Sequence, residues 1–205
     1  MTVSTGSTSA AAPTRRDELL RIAGALFAQR GFKNTTVRDI ADSAGILSGS
    51  LYHHFDSKES MVDELLSTFQ NELFTRYDEI TSSDLDAKAK VDAVVRASFD
   101  AIHDHHHEVA IFQNDAAYLM EFERFGYLHD HNVRFQKMWT QLLAEGVRSG
   151  ELRTDLDTDL TYRFIRDTVW VAVRWYRPGG DLSAQQVADQ YLSILFHGIA
   201  RSPHA

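Results

Sequence analysis

The chain has 205 residues, 43% of them hydrophobic, and a formal net charge of -8, which is enough apolar material for one large or two small cores and excludes global disorder. It contains no cysteine, so disulfides and thiolate metal sites are excluded and a reducing, cytoplasmic setting is expected. No apolar run approaches the roughly 18 residues a membrane helix requires, so no membrane partner is expected.

Residues 1–14, MTVSTGSTSAAAPT, lack a basic start followed by an apolar stretch, and read as a disordered small-residue tail rather than a signal peptide. Arg15 to Arg30 reads as a first helix with Leu19, Ile22, Ala23, Leu26 and Phe27 on its apolar face and Gly31 at its end. Arg15 and Arg16 either reach phosphates or form a solvated pair.

Thr35 to Phe55 has the layout of a helix-turn-helix. Thr36 caps a helix, with Asp39 at the capping-box spacing, and Val37, Ile40, Ala41 and Ala44 recur at helical intervals. Gly45 stands where a left-handed turn ends that helix, and Ile46 fills the gap between the two helices. Ser48 is the expected N-cap of a second short helix running to about His54. Its small, polar start suits insertion in a major groove. Leu47, Ser48, Gly49, Ser50, Tyr52 and His53 are therefore candidates for a DNA-facing surface, with Leu51 and Phe55 in the core. Thr36 and Arg38 are candidate backbone contacts. Lys58, in the first turn of the next helix, is a candidate phosphate contact.

That next helix, capped by Asp56 or Ser57, runs from about 58 to 80, with Met61, Leu65, Phe69, Leu73 and Ile80 near one face. Thr81 to Asp84 is the expected boundary. Further helices are expected at about 85–106, 108–121, 125–149, 158–177 and 183–200, with no strand alternation, so the fold class is all-α. The expected organisation is a DNA-binding domain at 15–57, a linker helix at 58–80 and a larger ligand-binding and dimerisation domain at 81–205. Residues 1–60 hold seven Lys/Arg and six Asp/Glu, against fourteen and twenty-three in the remainder, so the acidic excess lies outside the candidate DNA-binding part.

His103, His105, His106 and His107 invite a metal reading, but neighbouring residues on a helix diverge and no HExxH arrangement is present, so a solvated helix end is expected and no metal. Asp155, Asp157 and Asp159 read as complements to a helix dipole. No catalytic set stands out, and no enzyme or cofactor is expected.

The segment DLTYRFIRDTVWVAVRWYRP, 159–178, is apolar yet carries Arg163, Arg166, Arg174 and Arg177. Arg166, Trp170 and Arg174 fall on one face of a continuous helix. A buried guanidinium needs an anion. That anion is either an acid such as Asp167 or Glu121, or one from a second subunit, or else a ligand that also stacks on Trp170. Phe112, Tyr118 and Trp139 are the aromatic residues expected to help line the pocket.

Gly31-Phe32, Thr35 through Ala41, Gly45, Ser50 through Phe55 and Lys58-Glu59 together resemble the DNA-binding domain of TetR-type repressors, over about 15–61. The resemblance implies an all-helical homodimer that binds palindromic double-stranded operator DNA and is released by a small molecule. Dimerisation is then expected through the last two helices, with Val169, Val173, Trp175, Leu192, Leu195 and Phe196 in the interface.

The stretches 38–55, Tyr162 to Trp170 and Val173 to Gly180 further resemble one TetR subgroup, the repressors of genes for cholesterol ring C and D degradation. That resemblance implies a steroid-derived CoA thioester, of the hexahydroindanedione propanoyl type, as effector. The residues alone also suit a TetR-type regulator of another acyl-CoA or hydrophobic small molecule. About 81–135 carries no matching motif.

Overall fold

The computed structural model describes residues 14–199; the expected tail, Thr14 excepted, lies outside the described residues. Among the described residues there are nine α-helices and no strand: α1 Arg15–Arg30, α2 Val37–Ser43, α3 Ser48–Leu51, α4 Lys58–Thr81, α5 Ala87–Asp104, α6 His106–Leu119, α7 Tyr127–Ser149, α8 Thr158–Val171 and α9 Ala184–His197. Short 3-10 turns precede α7 (Glu123–Phe125) and follow α8 (Ala172–Arg174). None of these helices is long and apolar enough to cross a membrane.

Local chemistry sets most of the helix starts. Thr14, Thr36, Ser57 and Ser183 each form a reciprocal capping box with the residue three positions on, satisfying two otherwise orphan N–H donors. Asp86 and Asp157 cap α5 and α8 through single side-chain bonds. Gly45 lies at φ +67, the left-handed conformation that turns the chain between α2 and α3.

Two sequence expectations are corrected here. Ser48 is not the cap of α3: Leu47 holds that position without a side-chain bond, and α3 is one turn long. Gly49 and Ser50 are poor helix formers, and beyond Leu51 the chain continues only as a turn, with His54 N–H donating to Leu51 O at 2.9 Å. The helix expected over 158–177 also ends early, at Val171, and tightens into the 3-10 turn.

Two hydrophobic cores result. One joins Leu19, Phe27, Phe32, Ile40, Leu51, Phe55, Met61 and Leu66 with Ile111, Leu119, Phe125 and Leu128. The other runs from Phe69 and Leu73 through Val91, Val94, Ile102, Trp139 and Leu142 to Trp170, Val173 and Leu192. α4 therefore serves both cores, its first two turns in one and its later turns in the other. α6 does the same, with Ile111 and Leu119 in the first core and Val109 in the second.

Part of the expected dimer face is corrected as well. Val169, Val173 and Leu192 are buried inside the protomer, because α8 and α9 turn that stripe toward α5 and α7. The exposed apolar residues of this region include Leu160, Phe164, Val171, Ile194 and Trp175, the last one of the residues expected in the interface, with Phe164 66% exposed and Trp175 54%. Leu160, Phe164 and Val171 fall within one narrow stripe of α8.

Candidate nucleic-acid interface and effector cavity

The short α3 stands on a firmly built scaffold. Leu51 and Phe55 are buried below it, as expected, while Leu47 is 81% and Tyr52 56% exposed. Gly49 and His53 are exposed and Ser48 and Ser50 half-buried. These six residues thus form one outward surface. Thr36 and Arg38 flank it from the start of α2. The Thr36 hydroxyl accepts from Asp39 N–H at 3.1 Å, and the Asp39 carboxylate accepts from Thr36 N–H at 2.8 Å. The Thr36 hydroxyl and N–H hold the Asp39 carboxyl below its usual range. Arg38 is exposed and pairs only loosely, at 3.6 Å, with Asp42, so its guanidinium stays available.

Lys58 is placed differently from the sequence expectation. Its ammonium donates to Phe32 O at 2.9 Å and to Thr35 O at 3.1 Å, and lies 4.2 Å from the centre of the Phe32 ring. Two of its three donors are thereby committed to the loop before α2, so its geometry is that of a pin rather than a free cation. Arg16 is engaged likewise, in a two-pronged pair with Glu64 of α4 and over the Phe55 ring at 4.5 Å. Arg15 donates to Ala44 O at 2.9 Å.

Behind this surface a cavity of about 80 Å³ lies between α4, α6, α7 and α8. Phe69, Leu73 and Phe74 of α4, Phe112 of α6 and Phe135 of α7 give it apolar walls, and Arg166 and Trp170 of α8 close one side. Trp170 meets Phe69 and Phe135 edge-on, with ring centres 6.5 and 6.2 Å apart. The Arg166 guanidinium donates to Asp167 at 2.6 Å and lies 5.5 Å from the Tyr162 ring centre. The Arg166 side chain is 44% exposed in the protomer, and Asp167, one of the acids expected as its partner, pairs with it. The Arg166 hydrogen bond holds the Asp167 carboxyl below its usual range.

One polar pair lies in the wall. His131 Nδ1 sits 2.5 Å from Oε1 of the buried Gln70. An amide oxygen only accepts, so with the amide oriented this way Nδ1 carries the proton. Burial, then the nearby Arg134, lowers the His131 pKa and favours the neutral ring. Sequence reasoning missed this pair because Gln70 and His131 are 61 positions apart and carry no motif.

The other expected pocket residues separate. Phe112 lines the cavity. Trp139 does not: it is 1% exposed in the core behind Phe135, its indole N–H buried without a partner. Tyr118 lies at the other end of α6, where Lys33 sits 3.6 Å from its ring centre. Arg174 leaves the Arg166–Trp170 face because the 3-10 turn rotates it away, and it lines a second cleft with His106, His107 and Arg177. The four histidines diverge: His103 bonds the Tyr176 hydroxyl at 2.6 Å, His105 approaches Glu72 at 3.1 Å, and His106 and His107 face the second cleft. Among the described residues no group of three or more His, Asp or Glu could hold a metal ion.

α6 joins the cavity to the loop that leads into α2. Asp115 accepts a hydrogen bond from Phe32 N–H at 3.1 Å, three residues past the Phe112 that lines the cavity.

Comparison with known proteins matches both halves. Residues 19–65 match the family described as bacterial regulatory proteins, tetR family, and residues 84–199 match the tetracyclin repressor-like C-terminal domain. The chain is 56% identical over 190 residues to the HTH-type transcriptional repressor KstR2 of Rhodococcus jostii, covering 93% of each. It superposes on the structure of the ketosteroid transcriptional regulator KstR2 of Mycobacterium tuberculosis with a TM-score of 0.88 at 54% identity, over 93% of this chain and 97% of that one. A structure of AibR in complex with isovaleryl coenzyme A and operator DNA shares the fold, at TM-score 0.77 and 19% identity, over 89% of this chain and 98% of that one.

Proposed function

This chain belongs to the TetR family and is a transcriptional repressor of the KstR2 kind, not an enzyme; on that premise we propose that it binds palindromic operator DNA as a homodimer and is released by a CoA thioester of a steroid-degradation intermediate. The dimer is proposed to form through the exposed stripe Leu160, Phe164 and Val171 with Trp175 and Ile194, an apolar face of the kind that obligate interfaces bury. DNA contact is assigned to Leu47, Ser48, Gly49, Ser50, Tyr52 and His53, with Thr36 and Arg38 on the backbone. Lys58 acts through the loop it pins.

The observation that carries the effector reading is the pair Arg166 and Trp170 at an aromatic cavity whose α6 wall also holds the loop leading into α2. A CoA thioester is half apolar acyl group and half phosphate. Trp170 and Phe112 suit the first half, and a guanidinium paired only to an exposed acid suits the second. The cavity, at about 80 Å³, is far below the roughly 300 Å³ and more of ligand sites, so a fused-ring acyl group must part α4 from α6. α4 and α6 both belong to the DNA-binding core, and the same parting displaces α3. Ligand and DNA then disfavour each other by one shared factor.

A second reading is favoured by that small volume: a short acyl-CoA or other small hydrophobic effector would enter with less rearrangement. The fold itself accommodates isovaleryl coenzyme A in AibR. The test is a fluorescence-anisotropy titration with labelled DNA from upstream of the gene, at fixed salt. Release by the indanedione propanoyl thioester, and not by isovaleryl-CoA, free CoA or the free acid, supports the first reading. Release by the short thioester alone transfers the assignment to the second. Tight DNA binding with no release by either overturns the effector assignment.

A further inference from the structure

An open cleft of about 430 Å³ lies between α1, α6 and the turn after α8, and the repressor reading leaves its charge unused. α1 gives it small side chains and Gln29, α6 gives His106, His107 and Asn114, and the turn gives Arg174 and Arg177. No carboxylate lines it. Arg177 is held in place by donating to Arg174 O at 3.2 Å and Tyr176 O at 3.0 Å, bonds that use only its Nη1. Among the described residues neither arginine makes an ion pair, whereas Arg16, Arg76, Arg96 and Arg134 each cross to an acid on another helix. His106 is half-buried at the start of α6, where no side chain caps the helix. Burial, then His107 and Arg177, lower the His106 pKa, so the lasting positive charge is that of the two guanidinium groups.

We propose that this cleft is a binding site for a phosphate-type anion, a phosphate monoester or pyrophosphate, separate from the Arg166–Trp170 cavity. Two guanidinium groups three positions apart line a cleft free of carboxylates, and an anion with several oxygens can bridge them. The amides of Gln29 and Asn114 supply neutral donors on the facing walls. The two sites lie on different faces of α6: Val109, Phe112 and Gln113 face the cavity, while His106, Ala110 and Asn114 face the cleft. Because α1 forms one wall and α6 another, an anion here braces the DNA-binding core against the rest of the protein. The phosphate end of coenzyme A and a free phosphate compound carry the same chemistry, and the site takes that chemistry whether or not the steroid-thioester reading holds.

The test is calorimetric titration of the full chain with inorganic pyrophosphate, at constant ionic strength and pH 7. Saturable binding is expected, weakened at least about tenfold in Arg174→Gln, since a charge-assisted hydrogen bond is lost. The outlying Arg163→Gln is expected to bind as the parent does. No saturable binding by the parent overturns the proposal, and so does an equal loss in Arg163→Gln, which would show diffuse charge attraction only. Coenzyme A competing with pyrophosphate identifies the effector's phosphate end as the source. Pyrophosphate binding unaffected by coenzyme A identifies a free phosphate compound. Either result keeps the site.

Discussion

The carboxylate of Asp115 accepts the backbone N–H of Phe32 at 3.1 Å, bridging 83 positions of sequence and tying α6 to the loop that leads into α2. Lys33, beside it, lies over the Tyr118 ring one turn further along α6. These contacts give α6 a connection to the loop before α2 that does not pass through α4. Asp115→Ala leaves a part-buried N–H without a partner, at a cost of about 1–3 kcal/mol. The expected outcome is faster amide exchange at Phe32 and a right-shifted release curve, with operator binding retained. Unchanged release in an anisotropy titration would sink this coupling.

Lys58 and Arg38 separate a pin from a phosphate contact. Arg38→Ala is expected to lower the slope of log affinity against log salt by about one, as for one released counterion. Lys58→Ala is expected to weaken operator binding with the slope unchanged, and to lower the thermal midpoint of the DNA-binding core by freeing Phe32 O and Thr35 O. A reduced slope for Lys58→Ala would restore it as a direct phosphate contact.

Tyr52 and Leu51 are neighbours with opposite exposures. Tyr52→Ala is expected to weaken operator affinity about tenfold or more, ~1.4 kcal/mol upward, with the thermal midpoint unmoved. Leu51→Ala creates a cavity beneath α3 and is expected to cost ~2–5 kcal/mol of stability. Equal loss of stability in both variants would remove Tyr52 from the contact surface.

Arg166→Ala is expected to leave folding and operator binding intact while abolishing effector release. Its pair with Asp167 is exposed, and such pairs contribute at most about 1 kcal/mol. Normal release of the variant by the thioester in the anisotropy assay would end the anion-clamp assignment.

Phe164→Glu places a charge in the exposed stripe of α8 and is expected to yield monomers in sedimentation experiments. Val169→Ala, buried within the protomer, is expected to lower stability while keeping the dimer. The reverse pattern would return the interface to the residues first expected from sequence.

Acid is expected to weaken the cavity wall through His131. Its folded pKa is lowered, so the neutral ring stabilises the fold fully above the unfolded value of 6.5, and that stabilisation is lost as pH falls through the lower folded value. The thermal midpoint should fall below about pH 6.5, and His131→Gln should flatten that fall. A pH profile identical in the variant would exclude His131 as its source.

The sequence by itself determined what depends on neighbours three or four positions apart. α1, the capping box of Thr36 and the left-handed Gly45 fall where spacing predicted, because a cap bond or a turn is completed within one helical turn. Ser57 is one of the two caps expected for α4, though its box closes on Ser60 rather than pairing Asp56 with Glu59. The all-α class followed from the same periodicity, as did the burial of Leu51 and Phe55. Tertiary structure alone decided how long-range partners were shared out. Lys58 reads as a free cation until the loop 23 to 26 positions before it folds onto its ammonium. Arg174 reads as one face with Arg166 until Ala172 to Arg174 tighten into a 3-10 turn. Val169, Val173 and Leu192 are as apolar as Leu160 and Phe164, and only the packing of α8 and α9 on α5 and α7 determines which set is buried within the protomer and which remains exposed. Periodicity states that a helix has an apolar stripe, but the partner that covers it is fixed by packing across the whole chain.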